Sequence, residues 1–143
     1  MKPLVIIPCG KAKVPEISQA QDLYIGDLFR KVMVCARMLT EPSEIRILSA
    51  KHGLLRLEDE VEPYDLKMGK QGCVRAGLIR RQANEQGIAS RVAVIGFGGE
   101  PYRKVIQEVW RSAIFPVMPG RGTGTYKVAL NTYAERLRTN VPD

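Results

Sequence analysis

The sequence predicts an α/β protein: a single domain of three layers, in which helices cover both faces of a mostly parallel sheet of about four strands. Short apolar runs of the kind that form strands alternate with amphipathic stretches of helical period, and this order is typical of a parallel sheet with right-handed crossovers. The chain has 143 residues, of which 45% are hydrophobic and 26% are charged. That length suits one domain and that composition is the globular average, so we expect residues 1–143 to form one domain.

Four apolar runs rich in β-branched residues predict the strands, which are expected at residues 4–7, 45–48, 92–95 and 114–117. The first run, Leu-Val-Ile-Ile, shows no alternation of apolar and polar residues, which is typical of a strand buried on both faces. Pro8, Ser49 and Gly96 follow the first three runs, and such residues favour turns. We therefore expect each of these strands to end in a turn or loop.

Four stretches with apolar residues at three- and four-residue spacing predict the helices. They cover residues 27–39, 74–86, a stretch that opens at 96–101 and runs to about 111, and 126–137. Residues 54–72 have no helical period and contain Pro63, Gly69 and Gly72. A connection of that length inside a small domain is usually a lid or a binding segment, so we expect it to serve the function.

Composition excludes several classes of protein. No apolar run approaches the roughly 20 residues of a membrane span, and the apolar stretch at residues 1–7 is short for a signal peptide, so we expect a cytoplasmic protein that does not enter a membrane. Three cysteines without a CxxC pair, together with one histidine, favour neither a disulfide framework nor a structural zinc site. We expect no metal and no cofactor.

The net charge points to phosphate-bearing partners. There are 22 Lys and Arg against 15 Asp and Glu, a formal charge of +7. Such a field attracts polyanions, and a nucleotide or a nucleic acid becomes a plausible partner. The alternative is a soluble protein that is simply basic, because net charge bears on association and not on fold.

The unusual residues follow the predicted strands. Ligands of open parallel sheets bind beyond the carboxyl ends of the strands, so segments 8–13, 49–55, 96–100 and the loop around Arg121 should meet along one edge. Their basic side chains are Lys11, Lys13, Lys51, His52 and Arg121. Their glycines, which would let the backbone approach a ligand, include Gly10, Gly98 and Gly99.

Two glycine-rich segments lack the signatures of common nucleotide-binding families. Residues 96–99 do not complete the dinucleotide fingerprint, and residues 120–124 lack the Gly-Lys-Ser/Thr of a P-loop. An NAD-dependent enzyme and a P-loop NTPase are therefore not expected.

The Pro63-Tyr64-Asp65 turn places a carboxylate beside an aromatic ring. Tyr24 and Tyr64 could stack on a base, although packing at helix starts explains such tyrosines equally well.

Segments 8–13, 22–29, 48–55 and 63–65 resemble a family of small bacterial and phage proteins that look like minimal relatives of the YaaA-type peroxide-stress proteins. The Gly-Leu-Leu of residues 53–55 and the Pro-Tyr-Asp-Leu-Lys-Met-Gly of residues 63–69 are the parts most similar to YaaA. YaaA-type proteins are associated with DNA binding and oxidative stress. Pro8-Cys9-x-x-x-Lys13 is also similar to the core domain of archaeosine synthase, a tRNA base-modifying enzyme. The resemblance implies a uracil-DNA-glycosylase-like fold, with a flavodoxin-like fold as the alternative, and nucleobases as the ligand class.

Three functions remain open. The first is an enzyme directed at a nucleotide or nucleic-acid base, such as a glycosidase, transferase or base-modifying enzyme, with His52, Asp65 and Cys9 as catalytic candidates. Asp65 would stabilise positive charge on the sugar, and His52 would donate to the departing base. The second is a noncatalytic DNA-, RNA- or nucleotide-binding protein linked to a stress response. The third is a redox-sensing thiol at Cys9, which lies near two lysines. The expected ligand-binding residues are Gly10, Lys11, Lys13, Tyr24, Ser49, Lys51, Tyr64, Gly98, Gly99 and Arg121.

Overall fold

A central sheet with helices on both faces organises the chain. The computed structural model describes residues 2–139. Its strands are β1 (Leu4–Pro8), β2 (Ser18–Gln19), β3 (Ile45–Ser49), β4 (Gly53–Leu55), β5 (Glu60–Val61) and β6 (Val94–Gly96). Its α-helices are α1 (Ala20–Leu23), α2 (Asp27–Leu39), α3 (Ala76–Glu85), α4 (Glu100–Val109) and α5 (Thr123–Thr139), and Pro42–Glu44 forms a short 3₁₀ turn.

The sheet has the strand order β4-β3-β1-β6. β1 pairs in parallel with β3 on one side and with β6 on the other, whereas β4 pairs with β3 in the antiparallel direction. All five residues of β1 are buried, as a strand covered on both faces requires. The prediction of an α/β domain with a mostly parallel, four-stranded sheet is confirmed. A separate antiparallel pair joins β2 to β5.

Alternate residues of β1 belong to two hydrophobic cores. Val5 and Ile7 face the core that α2 and α5 cover, and Leu4 and Ile6 face the core that α3 and α4 cover. Because successive side chains of a strand point to opposite faces, this division makes the three layers expected from the sequence. Trp110, just after α4, is buried in the second core and donates its indole N–H to the Ile88 carbonyl at 3.0 Å.

The fourth strand differs from the prediction. Residues 114–117 were expected as a strand, but only Ile114 pairs, in one parallel bridge to Ile95. Pro116 has no N–H to donate to a ladder, so the pairing cannot extend through it. The fourth strand is instead β4, at the start of the segment expected to be a loop over residues 54–72.

A side chain explains why β3 turns back into β4. Ser49 Oγ accepts hydrogen bonds from the backbone N–H groups of Lys51 and His52, at 3.2 and 3.0 Å, and so closes the turn. Gly53 follows with φ +77°, a conformation that glycine adopts without strain. Two apolar residues, Leu54 and Leu55, then pair with β3.

The helices match the predicted ones, with shifted ends. α2 coincides with the predicted range, α3 is shorter than predicted, and α5 begins at Thr123 rather than at residue 126. The short elements α1, β2 and β5 were not predicted, since none is long enough to show a period. None of the helices within residues 2–139 is long and apolar enough to cross a membrane.

Candidate functional site

A cavity of about 650 Å³ opens beyond the carboxyl end of β1. Its walls come from the segment after β1, the first turns of α2, residues 65–67, Tyr102 of α4, and the start of α5. From β1 the chain goes first to β3 on one side and later to β6 on the other, so the cavity lies at the topological switch point of the sheet. Ligand pockets of α/β proteins occur at this place, and their volumes run from about 300 to 1,000 Å³.

The rim of the cavity is mostly basic. Four lysines line it: Lys11, Lys13, Lys67 and Lys127. Two carboxylates also line it, Asp27 and Asp65. Asp27 is paired with Lys31 at 3.8 Å and with Lys127 at 3.3 Å, whereas no ion pair within residues 2–139 includes Asp65. Asp65 is therefore the exposed carboxylate that remains available to a ligand.

The amino end of α2 adds a second cationic feature. The residue before this helix is Gly26, which has no side chain to cap the first backbone N–H groups, and residues 26–29 line the cavity. Uncapped N–H groups and the helix dipole together favour an anion at such a position. A phosphate in the cavity would meet both this helix end and the lysines of the rim.

The rest of the wall is apolar. Pro8, Leu28, Phe29, Val32 and Leu66 contribute to it. A flat apolar group of a ligand can pack on such a wall while its charged group stays at the rim, which is the usual division inside ligand pockets.

Three hydroxyl groups form a chain behind the cavity. Ser49 Oγ, which is fully buried, donates to the Tyr64 hydroxyl at 2.7 Å, and the Tyr64 and Tyr24 hydroxyls are 2.6 Å apart. Burial raises the pKa of Tyr24 to about 12 and raises the pKa of Tyr64 well above its usual value, with the nearby Cys9 as the next cause for Tyr64. Both tyrosines therefore stay neutral at physiological pH, and their hydroxyl groups link residues 24 and 64 to the end of β3.

This hydroxyl chain supports Lys13. The Lys13 ammonium lies 4.5 Å from the centroid of the Tyr64 ring and 5.7 Å from that of the Tyr24 ring. It also donates a hydrogen bond to the Lys11 carbonyl at 3.1 Å. Cation–π attraction and this bond hold the charge of Lys13 at the cavity.

Cys9 meets Tyr102 across the cavity wall. Cys9 Sγ and the Tyr102 hydroxyl are 3.2 Å apart, and burial, followed by the nearby Cys9, raises the pKa of Tyr102 above its usual value. Gly98 has φ +128°, and a Cβ at this position would lie 2.8 Å from Tyr102 Cβ. Glycine is needed there because both the backbone conformation and the close approach of Tyr102 exclude a side chain.

The structure divides the predicted site residues into three groups. Those that line the cavity are Cys9, Gly10, Lys11, Lys13 and Asp65. Those that form the hydroxyl chain behind it are Tyr24, Ser49 and Tyr64. Those that do not line the cavity are Lys51, His52, Gly98, Gly99 and Arg121. The backbone N–H of Gly98 is bound to the Tyr126 hydroxyl at 2.9 Å, so it is not free for a ligand.

His52 has a different environment from the one expected. Its ring packs edge-on against Tyr64, with the centroids 5.3 Å apart and the planes at 88°. Its Nε2 atom is buried and has no hydrogen-bond partner within the described residues. Burial, and to a smaller extent the charge of Lys51, lower the pKa of His52, so the ring is neutral at physiological pH. A proton donation from His52 to a ligand in the cavity therefore has no support in the geometry.

Sequence reasoning missed several residues of the cavity. Tyr102, Asp27, Lys67 and Lys127 line it but were not predicted as site residues. Tyr102 had a weak signal, because it follows the Gly-rich segment after a predicted strand. Lys127 had none, because only the packing of α5 against α2 brings it to this end of the sheet.

Comparisons with known proteins give one family model and several relatives. A family of unknown function, DUF6884, matches residues 4–139. The "Uncharacterized protein YfjM" of Bacillus subtilis (strain 168) is 33% identical, in an alignment that covers 94% of this chain and 97% of that protein. The UPF0246 proteins of Janthinobacterium sp. (strain Marseille) and Dechloromonas aromatica (strain RCB) are 30% and 32% identical, over 84% and 82% of this chain.

The chain spans about half the length of the UPF0246 proteins it matches, 52% and 49% in these two cases. UPF0246 is the YaaA family, so the resemblance to YaaA-type proteins is supported, while the phage affiliation stays a prediction. Because the family model matches residues 4–139, the chain belongs to the DUF6884 family.

Proposed function

We propose that the cavity binds a nucleotide, or a nucleotide unit of a nucleic acid, and that the protein is an enzyme directed at the base or its glycosidic bond. One observation carries this proposal: a single cavity of about 650 Å³ combines a lysine-rich rim, an uncapped helix end and an apolar wall. Phosphate suits the first two features, and a flat base with its sugar suits the third.

The residues suggest how such a ligand would lie. Lys11, Lys13 and the backbone N–H groups at the start of α2 would hold the phosphate. The base would pack on the apolar wall near Cys9 and Tyr102. Asp65, which no ion pair engages within the described residues, would then face the sugar.

Asp65 gives this arrangement a chemical role. Hydrolysis of an N-glycosidic bond adds the hydroxyl of water to the sugar and a proton to the departing base. Positive charge builds on the sugar and negative charge on the base before the bond breaks, so a carboxylate beside the sugar and ammonium groups near the base lower the barrier. Because His52 does not line the cavity, its expected cationic role would fall to Lys67, a lysine of the rim that the phosphate does not use.

The fold supports this ligand class. The three parallel strands run in the order β3-β1-β6, with the first strand central, as in flavodoxin-like sheets that bind a nucleotide-type cofactor at the switch point. We propose that the domain is related either to flavodoxin-like or to uracil-DNA-glycosylase-like folds.

A second candidate is a noncatalytic DNA-, RNA- or nucleotide-binding protein. One observation favours it: of the expected acid and carboxylate, His52 and Asp65, only Asp65 lines the cavity. The net charge of +7 suits this alternative equally well.

A thermal-shift panel tests whether the protein binds a nucleotide, and the release of free base then separates the two candidates. The protein is melted with nucleoside mono-, di- and triphosphates, free bases, and short DNA and RNA, each at low and high salt. A ligand bound only by the native state raises the melting temperature. A rise with a mononucleotide that persists at high salt therefore supports nucleotide binding in the cavity. Stabilisation by polymers alone, lost at high salt, would favour the noncatalytic protein.

Two sets of variants test the assigned residues. Lys11→Ala/Lys13→Ala should lose the response to nucleotides, while Lys104→Ala, an exposed lysine that does not line the cavity, should keep it. Asp65→Asn should keep binding and lose release of free base, measured by liquid chromatography. Unchanged base release in Asp65→Asn would refute its role, and no release by the parent protein with any bound nucleotide would refute the enzyme.

A further inference from the structure

A second cavity lies at the other end of β3. Arg46 is the second residue of that strand, near its amino end, whereas the first cavity lies beyond the carboxyl end of the parallel strand β1. The second cavity measures about 290 Å³, and its lining residues are Pro42, Ser43, Arg46, Arg56 and Glu58. We call it the arginine cavity.

Arg46 is a buried charge with only neutral hydrogen-bond partners. The residue is 5% exposed. Its Nε donates to Gln86 Oε1 at 2.6 Å, and its Nη1 donates to the carbonyls of Ser43 and Ile45 at 2.9 and 3.1 Å. No ion pair within residues 2–139 includes it, and the neighbouring Glu44 is paired with Arg91 instead. A buried charge that no carboxylate contacts directly is costly, so an anion bound at Arg46 would stabilise the folded protein.

The guanidinium of Arg46 keeps one free side. Its Nη2 has no hydrogen-bond partner within the part of the chain that the structure describes. The only side-chain polar atom found there to be both fully buried and unpartnered is His52 Nε2. The Nη2 group therefore keeps access to solvent, and the arginine cavity is the space that Arg46 lines.

A second arginine faces the same space. The pairing of β3 with β4 ends at Ile47 and Leu55, and the next residues outward, Arg46 and Arg56, both line the arginine cavity. Because the two guanidinium groups share this space, their like charges repel. Burial and the charge of Arg56 both lower the pKa of Arg46, against the opposing effect of the acidic residues nearby. An anion between the two guanidinium groups would remove this repulsion.

We propose that the arginine cavity binds a phosphate group between Arg46 and Arg56. Arginine forks suit phosphate and carboxylate alike, since both accept two parallel hydrogen bonds. Glu58 on the rim favours phosphate, because a protonated phosphate oxygen can donate to its carboxylate while sulfate and acetate cannot. The phosphate group belongs either to a free phosphate ion or to a phosphorylated metabolite, and the experiment below compares the two. This inference is independent of the function proposed for the first cavity.

Thermal melts of the full chain test the proposal. The parent for this experiment is the Lys11→Ala/Lys13→Ala variant, so that the first cavity contributes no response. Inorganic phosphate is compared with chloride, sulfate and acetate at equal ionic strength, and ribose 5-phosphate serves as the phosphorylated metabolite. Saturating phosphate should raise the melting temperature by roughly 2–4 °C, with smaller rises in sulfate and acetate.

Arg56→Ala is the central variant, because Arg56 is exposed and its loss leaves no cavity in a core. In chloride it should melt no lower than the parent, since it removes a like-charge contact. In phosphate it should lose the rise that the parent shows. Arg136→Ala, an exposed arginine on α5, is the matched control and should keep the rise.

A spectroscopic readout locates the ligand. In an NMR spectrum, the resonance of the Arg46 Nε–H group should shift as phosphate is added to the parent and should not shift in Arg56→Ala. The proposal is overturned if Arg56→Ala keeps the full phosphate response, if that signal does not move, or if phosphate stabilises the parent no more than chloride does. An equal rise in phosphate, sulfate and acetate would overturn the assignment to phosphate.

Discussion

Substitution of Gly53, in the β3–β4 turn, by alanine should lower the free energy of unfolding by more than backbone strain alone explains. Gly53 has φ +77°, which costs a residue with a Cβ about 1 kcal/mol. That Cβ would also lie 2.1 Å from Gln82 Oε1. The Gln82 amide accepts the Leu54 N–H and donates to the His52 carbonyl, each at 2.8 Å, so its displacement breaks both bonds.

The expected cost follows from these contacts. Two lost hydrogen bonds are worth about 2 kcal/mol, since one of them leaves the buried Leu54 N–H unsatisfied. Together with the strain, Gly53→Ala should lower the free energy of unfolding by about 3 kcal/mol. Urea denaturation followed by circular dichroism measures this difference, with the midpoint falling and the slope unchanged.

Two further variants separate clash from strain. Gly87→Ala is the matched control, because Gly87 has φ +73° and a Cβ there meets nothing within 4 Å, so it should cost only about 1 kcal/mol. In a Gln82→Ala background, Gly53→Ala should likewise cost about 1 kcal/mol, which gives a coupling of about 2 kcal/mol. Equal costs for Gly53→Ala and Gly87→Ala, or strict additivity with Gln82→Ala, would refute the reasoning.

Three other predictions concern buried polar groups. The pKa of His52 is lowered on folding, so the unfolded chain binds a proton at a higher pH than the folded protein does. The unmodified protein should therefore lose stability as pH falls below about 6.5, and His52→Met should lose less. Parallel profiles of the free energy of unfolding against pH, measured with urea, would contradict this. Tyr64→Phe should cost about 1–3 kcal/mol, because the buried Ser49 hydroxyl loses its acceptor, and an unchanged denaturation midpoint would refute that support. Trp110→Phe should cost about 2–4 kcal/mol in the same assay, because it leaves space in the core and the Ile88 carbonyl unpaired, and a cost below 1 kcal/mol would contradict it.

Local patterns account for what could be predicted from the sequence. The unbroken apolar run of β1 predicts a central strand, and the helical period of residues 27–39 predicts α2 within its observed bounds. Cys9 and Lys11 line the cavity because they follow β1 directly, and the end of a parallel strand is set by the topology of the sheet.

Tertiary contacts account for what could not be predicted. β4 has only three residues, too few to show a period, and it forms because the Ser49 hydroxyl closes the turn before it. That turn also directs His52 against Tyr64 rather than into the cavity, which its place after a strand did not reveal. Lys127 is far from β1 in the sequence, and only helix packing brings it to the site.

The turn between β3 and β4 also bears on the order in which the molecule folds. β3 and β4 are joined by residues 50–52 alone, whereas the β1–β3 pairing joins Val5 to Ile45, about 40 positions away. A short hairpin closes within about 1–10 μs, and the entropy of loop closure delays the distant parallel pairing. We therefore expect Ser49 to be held in its turn early, so that Tyr24 and Tyr64 dock on a hydroxyl already in place and the wall behind the first cavity assembles from this hairpin outward.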